Sequence, residues 1–242
     1  MLLSHPMIIS ALRVFFVVLI TVLASSVMVL VFAVNHSERV YFSLVKSYFR
    51  LILAVCGIRV EVLGAERINL SQNYVFVANH GSLFDIPAVI AGIPSNVRLI
   101  YKKELERVPF IGWALYMGRT YIAINRSQGQ EAMRSMEEAA RTIARGASVL
   151  VFGEGTRTTD GKLQPFKRGA FRLAVQAGIP VVPLTINGSY RILPKGSLSP
   201  RPGSISLVVD NPIIPPGANG KDAELHLLEQ VRETIERNYR EY

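Results

Sequence analysis

Tyr74-Val75-Phe76-Val77-Ala78-Asn79-His80-Gly81-Ser82-Leu83-Phe84-Asp85 is the stretch on which the fold turns. Its first five residues form an unbroken apolar run of the length of a buried strand. The run ends in polar and turn-forming residues, and Pro87 then stands where the first turn of a helix tolerates a proline. A buried strand that passes through a tight turn into a helix belongs to an α/β sheet. Open sheets of that kind bind ligands beyond the C-terminal ends of their strands. His80 and Asp85 lie on the turn, close enough to share a hydrogen bond. Two readings stay open on this stretch alone. The pair is a general base with its orienting acid, or Asp85 caps a helix that starts near Ile86 beside a structural histidine.

Outward from the turn, short strand and helix patterns alternate, which predicts a mixed sheet flanked by helices. Strands are expected over 59–63, 97–101, 116–125, 148–152, 181–186 and 204–210. The strongest helical pattern covers 128–145, with Ala132, Met133, Met136, Ala139, Ala140 and Ile143 on one face and Gly146 as its stop. A second helix is expected over 167–177, stopped at Gly178. A final amphipathic helix would turn Leu225, Leu228, Val231 and Ile235 inward and leave His226 off that stripe.

The N-terminal part differs in kind. Residues 14–34 carry no charge and are nearly all aliphatic or aromatic. At about 1.5 Å per residue they are long enough to cross a ~30 Å hydrocarbon core, and longer than the ~7–15 apolar residues of a secretory leader. A retained anchor is expected. Residues 40–58 are apolar again but hold Lys46 and Arg50 one helical turn apart, as in a helix that lies at a membrane surface or pairs with the first one. Arg39, Lys46, Arg50 and Arg59 favour the cytoplasmic side for the remainder of the chain. The expected organisation is therefore an anchor over 1–58 and an α/β domain over 59–242, at the cytoplasmic face of the inner membrane.

Composition narrows the chemistry. The 242 residues carry a formal net charge of +9 with a pI near 9.9. The charge is spread, without a basic tail or recognition helix, so anionic lipid, a phosphorylated substrate or an acidic carrier protein is the expected partner and nucleic acid is not. Cys56 is the single cysteine, so neither an intrachain disulfide nor a cysteine metal cluster can form, and no metal site is expected. There is no Gly-x-Ser-x-Gly elbow and no His-Glu-x-x-His helix.

A second turn, Gly153-Glu154-Gly155-Thr156-Arg157, comes directly after the expected strand over 148–152. Its two glycines let the backbone approach an anion. It misses the nucleotide motifs: Gly161-Lys162 comes one residue too late after Gly155 for a phosphate loop, and Thr158 replaces the third glycine of a dinucleotide fingerprint. Arg126, Arg157, Lys167 and Arg168 each stand near a strand end or helix start, which makes them candidates to converge on one rim and grip phosphate.

Asn79-His80-x4-Asp85 and Phe152-Gly153-Glu154-Gly155-Thr156-Arg157 together resemble the motifs of the glycerolipid acyltransferases, in particular the 1-acylglycerol-3-phosphate acyltransferases. Gly153 stands where that family usually has proline. Gly118 with Ile124-Asn125-Arg126 matches a further motif loosely, with asparagine in place of aspartate. Val182-Pro183-Leu184-Thr185-Ile186 matches a fourth, and Lys102-Lys103-Glu104-Leu105 with Pro109 and Gly112, and Phe166-Lys167-Arg168-Gly169-Ala170, also fit. The resemblance covers about residues 55–215. It implies transfer of a fatty acyl group from a thioester of coenzyme A or acyl carrier protein to the sn-2 hydroxyl of lysophosphatidic acid, giving phosphatidic acid, with no cofactor beyond the acyl donor. His80 would be the base and Asp85 its orienting acid, with Arg126, Glu154, Gly155, Thr156, Arg157, Lys102 and Lys167 holding substrate. The alternatives are another acceptor such as glycerol 3-phosphate or a different lysolipid, a thioesterase or lipid hydrolase, and a lipid-binding anchor protein without catalysis.

Overall fold

The computed structural model describes residues 5–107, 112, 122–124, 137–143, 145–217 and 220–240. Gly118, Asn125 and Arg126, most of the strand expected over 116–125 and the first part of the helix expected over 128–145 lie outside the described residues, as do the side chains of Lys102 and Leu105.

Among the described residues, β1 (Ile58–Leu63), β2 (Val75–Ala78), β3 (Val97–Lys102), β4 (Ile122–Ile124), β5 (Ser148–Phe152), β6 (Val181–Asn187) and β7 (Gly203–Val209) form one sheet in the order β1-β7-β6-β2-β5-β3-β4. The neighbours from β6 to β4 run parallel; β7 is antiparallel to β6 and carries β1 parallel to itself. This is the mixed sheet that the alternating patterns predict. β2 lies between β6 and β5, and every residue of it is fully buried. Its side chains alternate between faces. Phe76 and Ala78 join one apolar cluster, Val75 and Val77 the other. Burial on both faces is why β2 reads as a continuous apolar run, without polar alternation.

Helix α3 (Asp85–Gly92) packs into the first cluster; the helical residues 137–143, α4 (Gly169–Ala177) and α6 (Lys221–Asn238) build the second. A single helical turn, α5 (Ser189–Ile192), comes after β6. α4 starts two residues later than expected, and the Lys167 amide before it donates to the carbonyl of Gly153 at 2.7 Å, which ties residue 167 to the preceding turn. α6 is rotated from its expected orientation. Ala223, Leu227, Val231 and Ile235 form the buried stripe, while Leu225 and Leu228 are half-buried at its margin; His226 is exposed. The rotation brings Glu224 inward, where Arg168 holds it.

The first apolar run is the single helix α1 (His5–Val34), succeeded after Asn35, His36 and Ser37 by α2 (Glu38–Val55). The two run antiparallel: the Thr21 and Tyr48 hydroxyls lie 2.9 Å apart, and the Phe32 ring meets Tyr41 edge-on. Met7–Val34 is long and apolar enough to cross a membrane by length and composition, and it presents Phe15, Leu19, Leu23 and Leu30 outward. Pairing with α1 is one of the two positions expected for α2, and α2 also packs on the sheet. Tyr41, Val45, Ile52 and Leu53 belong to the same cluster as Phe76, Leu184 and Leu207 of the sheet. Lys46 turns its ammonium to the carbonyls of Ile93 and Pro94, at 3.4 and 3.5 Å, just past the C-terminus of α3. The change at residue 58 is thus one of composition; the packing runs through it.

Candidate active site

β2 and β5 are parallel neighbours with Ala78 opposite Phe152, so the turns at their C-terminal ends meet. Gly153 donates its amide to Ala78 O at 2.8 Å, and Thr158 donates to His80 O at 2.9 Å. On the other side, Asn79 continues the ladder with its side chain: Nδ2 donates to Ile186 O and Oδ1 accepts the Ile186 amide, at 2.8 and 2.7 Å. The first motif residue therefore fixes the turn to β6. Local sequence cannot reveal this, because its partner is more than a hundred residues away.

His80 and Asp85 are brought together. Nδ1 of His80 lies 2.7 Å from Oδ2 of Asp85; the imidazole is 14% exposed and the carboxylate 0%. The same Oδ2 accepts the amides of Gly81 and Ser82 at 2.8 and 2.9 Å. A carboxylate oxygen that accepts two N–H groups acts as acceptor toward the imidazole as well, which places the ring hydrogen on Nδ1 and leaves the Nε2 lone pair outward. Among the described residues nothing bonds to Nε2. Asp85 is the first residue of α3, with Phe84 before it as cap and no side-chain cap bond. Its carboxylate reaches back to the turn, so the capping role that stood as the alternative is not the one it plays. The imidazole also stacks on the Phe152 ring, centroids 3.7 Å apart and 10° from parallel. With Asp85 on one edge and Phe152 on one face, the ring has little rotational freedom.

The second turn divides into an inner and an outer part. Glu154 is 3% exposed and accepts the His80 backbone amide on Oε1 at 3.2 Å. Burial, opposed by that amide and reinforced by the Asp85 charge, pushes its carboxyl up to about 7. This carboxyl faces inward and braces His80, apart from the outer residues of the turn that are expected beside it as phosphate ligands. Gly155, Thr156 and Arg157 form the outer part. Gly155 has φ +73°, and a Cβ there would lie 3.0 Å from Cδ of Lys167 and 3.3 Å from its Nζ. Glycine is needed on both counts. Gly153, in the family's proline position, leaves room that the Phe166 ring fills: a Cβ would lie 2.8 Å from it.

The expected convergence of cations is partial. Arg157 and Lys167 lie at the turn. Arg168 does not join them, because its guanidinium is bound to Glu224 of α6 through Nε at 3.1 Å and Nη2 at 2.6 Å. Arg126 and the Lys102 side chain are outside the described residues. Sequence reasoning missed the Phe152 stack and Lys195, whose Nζ lies 3.4 Å from Thr156 Oγ1 and 3.3 Å from Arg157 O. Phe152 could have been found as the residue paired with Ala78 had the strand order been known; Lys195 left no local signal.

An exposed imidazole nitrogen, a carboxylate behind it and a cationic turn beside it suit proton removal from a hydroxyl on a phosphorylated molecule. The family model described as Acyltransferase matches residues 59–187. A 1-acyl-sn-glycerol-3-phosphate acyltransferase of Chlamydomonas reinhardtii is 34% identical over 163 residues, 66% of this chain and 48% of that protein. A chloroplastic one of Brassica napus is 32% identical over 179 residues, 73% and 50%, and the alpha form of Homo sapiens 42% over 136 residues, 56% and 47%. The chain thus spans about half the length of the curated relatives it matches. The crystal structure of the 1-acyl-sn-glycerophosphate acyltransferase PlsC of Thermotoga maritima superposes with a TM-score of 0.81 at 25% identity, over 97% of this chain and 95% of that one.

Proposed function

Because the chain belongs to the acyltransferase family, we propose that it transfers a fatty acyl group from a thioester to the sn-2 hydroxyl of 1-acylglycerol 3-phosphate, giving phosphatidic acid. The observation that carries this reading is the 2.7 Å contact between His80 and Asp85 at the end of β2, beside the cationic 155–157 turn. An alcohol is too weak an acid to ionise unaided near neutral pH. Nε2 of His80 takes its proton as the oxygen attacks the thioester carbonyl; Asp85 holds the tautomer and stabilises the imidazolium. The tetrahedral intermediate then expels the thiolate, which recovers the proton from His80. The nucleophile comes from the substrate, so no acyl-enzyme forms.

The donor is an acyl thioester of coenzyme A or of acyl carrier protein, and Arg157 with Lys167 takes the acceptor phosphate. α1 holds the protein in the membrane with the catalytic residues on the cytoplasmic side, where a lipid acceptor and product reside. Support comes from the names of the curated relatives and from the apolar length of α1. The test is a panel of acceptors with a labelled acyl thioester. Label should pass to 1-acylglycerol 3-phosphate in preference to glycerol 3-phosphate and phosphate-free lysolipids. Release of free fatty acid without an acceptor, at the same rate, would assign a hydrolase instead.

A further inference from the structure

We propose that Lys195 is a third cation for the phosphate of the lipid acceptor, delivered to the 155–157 turn from the loop after α5. This rests on the acyl-transfer reading above and names a residue for it that no motif marks. Three observations support it. The first is place: the Lys195 ammonium lies within 3.4 Å of Thr156 Oγ1 and 3.3 Å of Arg157 O, on the turn whose Gly155 adjoins Lys167. An ammonium has three donors, and these two contacts leave one for an incoming anion.

The second is charge. Three cations, Arg157, Lys167 and Lys195, stand at this turn, while Arg168 is drawn off to Glu224. Among the described residues Arg157, Lys167 and Lys195 have no carboxylate within ion-pair distance. Two acids stand three residues from Arg157: Glu154 is turned inward to His80, and Asp160 accepts from Thr158 Oγ1 and the Lys162 amide. Three like charges around one turn repel each other until an anion joins them, which is the electrostatic arrangement of a phosphate site.

The third is rigidity. Ser197 N donates to Pro194 O at 3.0 Å, closing a turn over 194–197 with Lys195 at its corner and Gly196 at φ +89°. One residue before that turn, Leu193 O accepts Ser82 Oγ at 3.0 Å. Ser82 also donates its amide to Asp85. The loop that presents Lys195 is thus pinned to the turn that holds the base. A phosphate held by Lys195 would therefore keep a fixed relation to the His80 turn.

The experiment is steady-state kinetics of the full chain with Lys195→Ala and Lys195→Arg. Lys195→Ala should raise KM for 1-acylglycerol 3-phosphate about tenfold, with kcat and the donor KM unchanged and no effect on a phosphate-free monoacylglycerol. Lys195→Arg should recover most of the loss, and inhibition by inorganic phosphate should weaken in the alanine variant. An unchanged acceptor KM, an equal loss with the phosphate-free acceptor, or a rise confined to the donor KM would each overturn the proposal; the last would give the ammonium to the donor. Wild-type protein separates the two readings. If it fails to acylate the phosphorylated acceptor, the proposed function falls and this inference with it; if it succeeds while Lys195→Ala behaves like wild type, only the inference falls.

Discussion

The turn after β2 and the turn after β5 lie side by side and treat their charges in opposite ways. In the first, Asp85 is enclosed, and its Oδ2 is shared among an imidazole and two amides. In the second, Arg157 and Lys167 have no acidic partner among the described residues, and Lys167 is exposed. In the proposed reaction the first turn is finished before substrate arrives, because a base that must reorient loses its advantage. The second is left electrostatically incomplete, because a site that satisfies its own donors has nothing to offer an anion. Glu154 sits between them and belongs to the first: it is buried, bonded to His80 and held away from the cations.

The sharpest way to break this contrast is to remove the base. His80→Ala should lower kcat by ~10²–10⁴-fold with little change in acceptor KM and an unchanged thermal midpoint, since Asp85 keeps its two backbone donors. Activity within a few fold of wild type would mean that the finished turn is not the chemical one. A smaller effect separates two adjacent cations. Lys167→Ala should raise acceptor KM several-fold at constant stability, whereas Arg168→Ala should leave KM alone and cost about 0.5–1 kcal/mol in denaturant unfolding, because it releases Glu224 of α6. Exchanged outcomes would undo the division between structural and binding cations.

The subtlest test concerns Glu154 and pH. Its carboxyl is raised to about 7 in the folded chain, chiefly by burial, from an ordinary value of 4.5. A raised acid binds its proton more tightly folded than unfolded. Its contribution to stability is therefore complete below about 4.5 and lost as pH rises through about 7. Glu154→Gln keeps an acceptor for the His80 amide and cannot titrate. Unfolding free energies measured across that window should decline with pH in the wild type and decline less in the variant; parallel curves would show that Glu154 carries no such proton.

Much of this arrangement was legible in the chain. β2 announced itself because burial on both faces makes a continuous apolar run, and the His80–Asp85 pair was readable because both residues lie on one local turn. The mixed sheet came from the alternating patterns. What escaped has a common cause. Asn79 bonding to Ile186, Arg168 to Glu224, Lys195 to the 156–157 turn and Lys46 to the end of α3 all join residues far apart in the chain, and no local period encodes such pairings. The face of α6 was misread for the same reason. Which of its apolar residues turn inward follows from the cluster it packs against, and Glu224 comes inward with them to Arg168.

α3 has eight residues and is therefore about 12 Å long. Its first residue is Asp85, and just past its last one the carbonyls of Ile93 and Pro94 receive Lys46 from α2, which in turn lies along α1. The short helix is a strut fastened at both ends, one end in the catalytic pair and the other in the helical hairpin. Through α3 the placement of the hairpin against the sheet and the placement of the Asp85 carboxylate are tied to one short element.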